Sequence, residues 1–321
     1  MELSRMGRAL TTAVIFAFAG CGAAGTTVPL GAMPHSRAHQ MSGSSRDLLY
    51  VGAGANRVFV LAYPEGKLVG SLSISSRPWG LCSDTDGNVF VTEDSGVLEY
   101  AHGGTNPINT LSAHGAFSCS WDPSTGNLAV VERPFSIAIF KGAKGNPQTY
   151  TDTNFFNFNY CAYDDKGNLF VTGEQHGPYT YALAELDTGS GGFTPITLNE
   201  RVDYLDDLQW DGKYLAIDDF YGTGTIDRVQ VSGSSGTIKA TTNLGGAQFY
   251  GYWTWLQNGT FISPIYTEYD KNSLMDFWSY PSGGNPKKEL PHRVGGRRIW
   301  GVTVSVVPPG RASTSKGTTH E

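Results

Sequence analysis

The chain has 321 residues, of which 41 are Gly and 16 are Pro, with 12% aromatic and only 16% charged. Set against the usual quarter or so of charged residues, this is too apolar and aromatic for disorder and too poor in helix formers for a coiled coil or helical array. A formal charge of -6 provides no basic stripe, which excludes nucleic acid as a partner, and no apolar run past the N-terminus is long enough for a multi-span membrane protein.

The N-terminus reads as an export signal over residues 1–21, with Arg5 and Arg8 ahead of the apolar run Ala9–Ala19. Phe18-Ala19-Gly20-Cys21 resembles the bacterial lipobox, although the family pattern has Leu where Phe18 stands. The resemblance implies a lipid on Cys21, anchorage in the bacterial cell envelope and contact with the membrane through that lipid only. Cleavage at Ala17-Phe18-Ala19, giving a soluble secreted or periplasmic protein, is the alternative. Residues 22–45, rich in Gly, Ala, Thr, Ser and Pro, read as a flexible tether, and 309–321 as a disordered tail.

Next come three expected strands, Leu48–Val51, Arg57–Ala62 and Lys67–Leu72, and then a repeat. Cys82-Ser-Asp-Thr-Asp-Gly-Asn88-Val-Phe-Val-Thr92 returns as Cys119–Val131 and Cys161–Thr172, and in weaker form as Gln209–Ile217 and Leu256–Ser263. Each copy is strand, Asp/Gly/Asn turn, strand, the signature of a β-hairpin. A second phrase runs at the same period: Tyr100–Pro107, Phe140–Pro147, Gly191–Pro195 and Tyr280–Pro286. Its Pro lacks an N–H donor and suits an outermost strand. Two hairpin phrases per period give four strands per unit, with full units starting near Pro78, Ala116, Asn157, Asp203 and Ala247. The lone strand Trp300–Val306 completes the three N-terminal strands. The expectation is an all-β, six-bladed β-propeller over residues 46–308, monomeric, with four-stranded antiparallel blades and a ring closed by pairing the C-terminal strand with the N-terminal ones.

Pro78-Trp-Gly-Leu-Cys-Ser-Asp-Thr-Asp-Gly-Asn-Val-Phe-Val-Thr-Glu-Asp resembles the NHL repeat, well in the first full unit, fairly in the next two and poorly afterwards. The resemblance implies a propeller of the TolB-like kind; it says little of function, since such propellers bind, scaffold and catalyse.

Strand counting places several side chains on the face formed by the loops after each second strand and between units. The acids Glu93, Asp94, Glu132, Glu174, Asp218, Asp219 and Glu268 fall there, with Asn157, Asn159 and Asp203. They could ring a Ca²⁺ or Mg²⁺ ion or simply accept turn N–H groups. His114, His176 and His292 fall on the same face and could hold Zn²⁺, with no H-x-H spacing to support it. Phe155, Phe156, Phe158, Phe220, Tyr221, Tyr266 and Tyr269 offer rings for a sugar or peptide, while Trp79, Trp121, Trp210, Trp255 and Trp300 read as core. Cys82, Cys119 and Cys161 stand at matching points of three copies and read as small hydrophobes between blades, with a three-thiolate metal site as the alternative. Inner strands of neighbouring blades are expected to lie too far apart for a disulfide. The functional expectation is a non-catalytic module binding a ligand or protein partner. A metal-dependent lyase or lactonase, implied by the NHL resemblance, and an interaction scaffold are the alternatives.

Overall fold

A computed structural model describes residues 40–41, 45–177, 180–202, 204–219, 224–246, 253–267, 270–290 and 299–308, and the side chains of all of these except 265–274. Cys21, Asp203, Phe220, Tyr221, Glu268, Tyr269 and His292 lie outside the described residues, and Tyr266 outside the described side chains. The described residues form 24 β-strands and no α-helix.

In chain order, the first three strands are β1 (Leu48–Ala53), β2 (Arg57–Ala62) and β3 (Lys67–Ser73). A meander follows of β4 (Leu81–Ser83), β5 (Val89–Glu93), β6 (Gly96–Tyr100) and β7 (Pro107–Ser112). Another is β8 (Ala116–Trp121), β9 (Leu128–Glu132), β10 (Ser136–Phe140) and β11 (Gln148–Tyr150). The next two are β12 (Phe155–Tyr163), β13 (Leu169–Gln175), β14 (Tyr181–Asp187) and β15 (Gly192–Leu198), then β16 (Leu208–Trp210), β17 (Leu215–Asp219), β18 (Thr225–Ser232) and β19 (Ser235–Asn243). The chain ends with β20 (Trp255–Gln257), β21 (Thr260–Thr267), β22 (Asp270–Ser279) and β23 (Gly283–Leu290), and last β24 (Ile299–Ser305).

The strand β24 pairs with β1, Leu48 opposite Ser305 and Val51 opposite Val302, so the two ends of the chain share one sheet. The described residues form four four-stranded sheets and one of eight strands. The eight-stranded sheet is two antiparallel meanders joined where β15 and β19 run parallel, Thr197 opposite Ser235 and Leu198 opposite Gly236. At Gly236 a Cβ would crowd the end of the Leu198 side chain, 2.6 Å from its Cδ2. The sheets stand in a propeller-like arrangement, with β24, β4, β8, β12, β16 and β20 innermost. Pro107 opens the outermost strand β7, and Pro286 lies in the outermost strand β23, as a residue without an N–H requires.

The recurring Asp-Gly-Asn is a turn lock. Asp84 accepts the backbone N–H and the side-chain amide of Asn88, each at 2.7 Å, and Asp164 holds Asn168 in the same way. Gly87, at φ +78°, takes the left-handed conformation that this turn needs. Apolar side chains fill the gaps between neighbouring sheets: Tyr50, Val58, Val89 and Tyr100 in one, Phe90, Leu128, Val130 and Phe140 in the next. Each fully buried ring contributes about 2–3 kcal/mol.

Candidate functional site: an axial cavity

The inner strands carry their side chains in layers. The first layer, where these strands begin, is closed by rings. Trp79 lies 5.5 Å from Phe117 and 5.3 Å from Trp300, and Trp253 lies 4.6 Å from Phe117 and 5.9 Å from Tyr160, between ring centroids. Two guanidiniums cover this plug. Arg133 sits 3.4 Å from the centroid of Phe117 and donates to Asn159 Oδ1, while Arg77 lies 4.7 Å from Trp79 and 4.9 Å from Trp300. Burial lowers the pKa of Arg133.

Below the plug, toward the turns that end the inner strands, is a cavity of about 320 Å³. All six innermost strands or their flanking residues border it, from Leu81 and Cys82 of β4 round to Val304 of β24. Trp253 is its floor, and Trp121, Tyr163, Trp210 and Trp255 are its walls. Asp84, Asp164 and Gln257 also line it, and the exposed Thr85 and Pro123 mark its opening to solvent. The buried indole nitrogens of Trp121 and Trp210 have no hydrogen-bond acceptor.

The polar groups along the cavity are mostly engaged with the protein. Asp207 accepts from the N–H of Thr254 at 2.6 Å, its hydroxyl at 2.9 Å and the N–H of Leu208 at 3.0 Å. Gln209 accepts from the N–H of Leu256 at 2.7 Å and donates to the carbonyl of Thr254. Burial outweighs these donors and pushes the pKa of Asp207 up to about 6; burial raises that of Asp84 as well.

Cys82 and Cys119, both on the cavity wall, form a disulfide with Cα atoms 5.8 Å apart, while Cys161 is a free buried thiol. This corrects the expectation of inner strands too far apart to be bridged. The repeats also differ by one residue. Cys82 is paired with Phe90, two residues past Asn88, whereas Cys119 and Cys161 are paired with Val130 and Val171, three residues past Asn127 and Asn168. Successive side chains on a strand alternate in direction. Cys82 therefore points forward to the next sheet, where it packs with Leu128 and Val130, and meets Cys119 pointing back. Cys161, in the register of Cys119, also points back, 4.0 Å from the carbonyl of Ala129, and faces no thiol. Burial pushes its pKa up to about 12.

Among the described residues, most of those expected on the opposite face are taken up in local contacts. Glu93 accepts from Ser75, Ser95 and the N–H of Ser76, and Glu132 from the N–H of His114 and the hydroxyl of Ser136, so these acids hold turns. Glu174 lies near Arg133. Asp218 is 2% exposed with neither carboxylate oxygen hydrogen-bonded; burial first, then Asp206, Asp207 and Asp219, raises its pKa well above the carboxylate range. Asp219 is buried beside it. Phe156 and His176 do meet, edge to face at 5.8 Å, and His176 borders a shallow pocket with Phe135 and Phe155. Among the described residues no three His, Cys, Asp or Glu side chains are placed to hold a metal ion. Trp121, Trp210 and Trp255, expected in the core, are half-buried on the cavity wall instead.

No protein-family model matches the chain, and no curated protein matches it. Among solved structures it is similar to a protein of unknown function from Bacteroides caccae, at 15% identity and a TM-score of 0.58, over 81% of this chain and 99% of that one. A chain of a mitotic checkpoint complex is similar at 16% identity and a TM-score of 0.54, over 72% of this chain and 71% of that one. At these identities the likeness is one of fold alone: an all-β, propeller-like chain.

Proposed function

We propose that this chain is an exported six-bladed β-propeller of the NHL-like kind that binds a small ligand in its axial cavity. The two meanders of the eight-stranded sheet count as two blades in this reading, which makes six with the four separate sheets. The observation that carries the proposal is the cavity, about 320 Å³ and bordered by every inner strand, a volume at the lower end of the range for small-molecule sites. The Cys82–Cys119 disulfide supports export, because such bonds persist in oxidising compartments. Together with the lipobox-like Cys21, it favours an envelope-anchored binding module.

The test is a thermal-shift screen of small molecules on the full chain and on Thr85→Trp. Thr85 is exposed at the cavity mouth, so an indole there obstructs access without touching the core. Compounds that stabilise the wild type should lose their effect in Thr85→Trp. Equal stabilisation of both proteins would place the ligand elsewhere and overturn the reading.

A further inference from the structure

We propose that the axial cavity selects a bulky quaternary ammonium cation, a ligand class that rests on the cavity being the binding site. Two properties of the wall lead there. The first is its charge. Asp84, Asp164 and Asp207 border the cavity, and no Lys, Arg or His is among the described residues that do. The field of the wall opposes an anion, and a cation finds three carboxylates in a partly desolvated space.

The second is how these carboxylates are occupied. A sugar site also joins aromatic rings to acids, but it needs free acceptors and donors aimed at individual hydroxyls. Here the acceptors already serve the protein. Both oxygens of Asp84 serve Asn88, both oxygens of Asp164 serve Lys166 and Asn168, and both oxygens of Asp207 serve Leu208 and Thr254. The amide of Gln209 is held by Thr254 and Leu256. Neutral N–H and O–H donors occupy much of the directional bonding of a carboxylate and leave its charge in place. The cavity therefore offers a negative field and aromatic surface, and its unpaired directional groups, the indole N–H groups of Trp121 and Trp210, are donors that serve no ammonium N–H. A quaternary ammonium group matches that offer: it carries spread charge, presents no N–H in need of an acceptor, and is attracted to indole faces. A primary ammonium is a poorer match, since it would give up hydration for acceptors that are already engaged.

The experiment is a titration of the full chain, followed by tryptophan fluorescence, with choline and with its neutral isostere 3,3-dimethylbutan-1-ol. Choline should produce a saturable change, and the isostere should bind about tenfold more weakly, the difference expected of a desolvated cation on aromatic faces. Choline binding should also weaken in Thr85→Trp. If the isostere binds as well as choline, the cation class is wrong while the cavity stands as a binding site. If neither binds, the cation class is wrong, and the thermal-shift screen alone then decides the cavity. If choline binds equally to wild type and Thr85→Trp, the cation lies outside the cavity and the inference is overturned. The wild-type comparison needs no variant to fold.

Discussion

Replacing both Cys82 and Cys119 with Ala should cost about 4 kcal/mol of stability, a magnitude set by the loop that the disulfide closes. The two half-cystines are 37 residues apart, and the segment between them contains the whole of β5, β6 and β7. Closing a loop of that length removes roughly 13 cal/mol/K from the unfolded chain, or about 4 kcal/mol at 25 °C. The bond joins the inner strands of two neighbouring sheets, so its loss acts on the interface around Phe90, Leu128 and Phe140. Denaturant titrations of wild type and the double variant, each with and without reductant, measure the effect. Wild type should lose most of the 4 kcal/mol on reduction, and the variant should not respond. In thermal scans the same loss is a fall of roughly 10 °C. Peptide mapping of the unreduced protein should show Cys82 linked to Cys119, with Cys161 alkylated only after unfolding, since it is buried with a raised thiol pKa. A Cys119–Cys161 linkage, or equal midpoints for oxidised wild type and variant, would refute the one-residue register argument.

Stability should rise as pH falls from 7.5 to 5. The carboxyls of Asp207 and Asp276 move from 3.8 to about 6 on folding, chiefly through burial. A raised carboxyl favours folding below its unfolded pKa, and that advantage is lost as pH climbs through the folded value; for each group the full span is at most about 3 kcal/mol. Asp218 acts in the same direction. Melting temperatures that are flat or rise with pH over this window would contradict it, and Asp207→Asn should flatten the profile. Gly87→Ala should cost clearly more than Gly212→Ala. Both glycines have φ near +80 to +90°, at +78° and +89°, but a Cβ at Gly87 meets the carbonyl of Val306 at 2.3 Å while Gly212 has nothing within 4 Å. The Gly212 change should cost about 1 kcal/mol of backbone strain, and the excess at Gly87 reports the seating of the segment after β24. Equal losses in denaturant titrations would mean that this segment yields freely.

Much of the fold was legible because turns and edges constrain residue type so narrowly. The turn needs a carboxylate to accept from its N–H and O–H groups and a glycine at positive φ, so it recurs visibly at Asp84, Asp122 and Asp164. The parallel join of β15 to β19 was not legible, since Thr197, Leu198 and Ser235 are ordinary strand residues and the join depends on how closely two outer strands approach. The disulfide was hidden by aligning the cysteines with one another. Aligning the Asp that opens each turn, Asp84, Asp122 and Asp164, instead brings Leu81, Cys119 and Cys161 together and leaves Cys82 one position off, which reverses its direction.

The cavity was the harder case, and the reason is general to a repeat chain. Recurrent residues mark jobs common to every unit, such as holding turns, and the recurring acids Glu93 and Glu132 proved to do that. A site on the axis is built from one position of each unit filled differently. That position is the residue closing each inner hairpin: Ser83, Trp121, Tyr163, Trp210 and Gln257, each paired with the first residue of the following strand. All five border the cavity. Within the repeat they stand immediately before the turn, where the periodic pattern places no demand of its own. Three indole or phenol rings, a serine and an amide at one structural position make an asymmetric pocket out of a nearly symmetric scaffold. Specificity in the proposed site therefore belongs to the layer that the repeat leaves free, and the turn carboxylates Asp84 and Asp164 beside it add charge because their own turns need them.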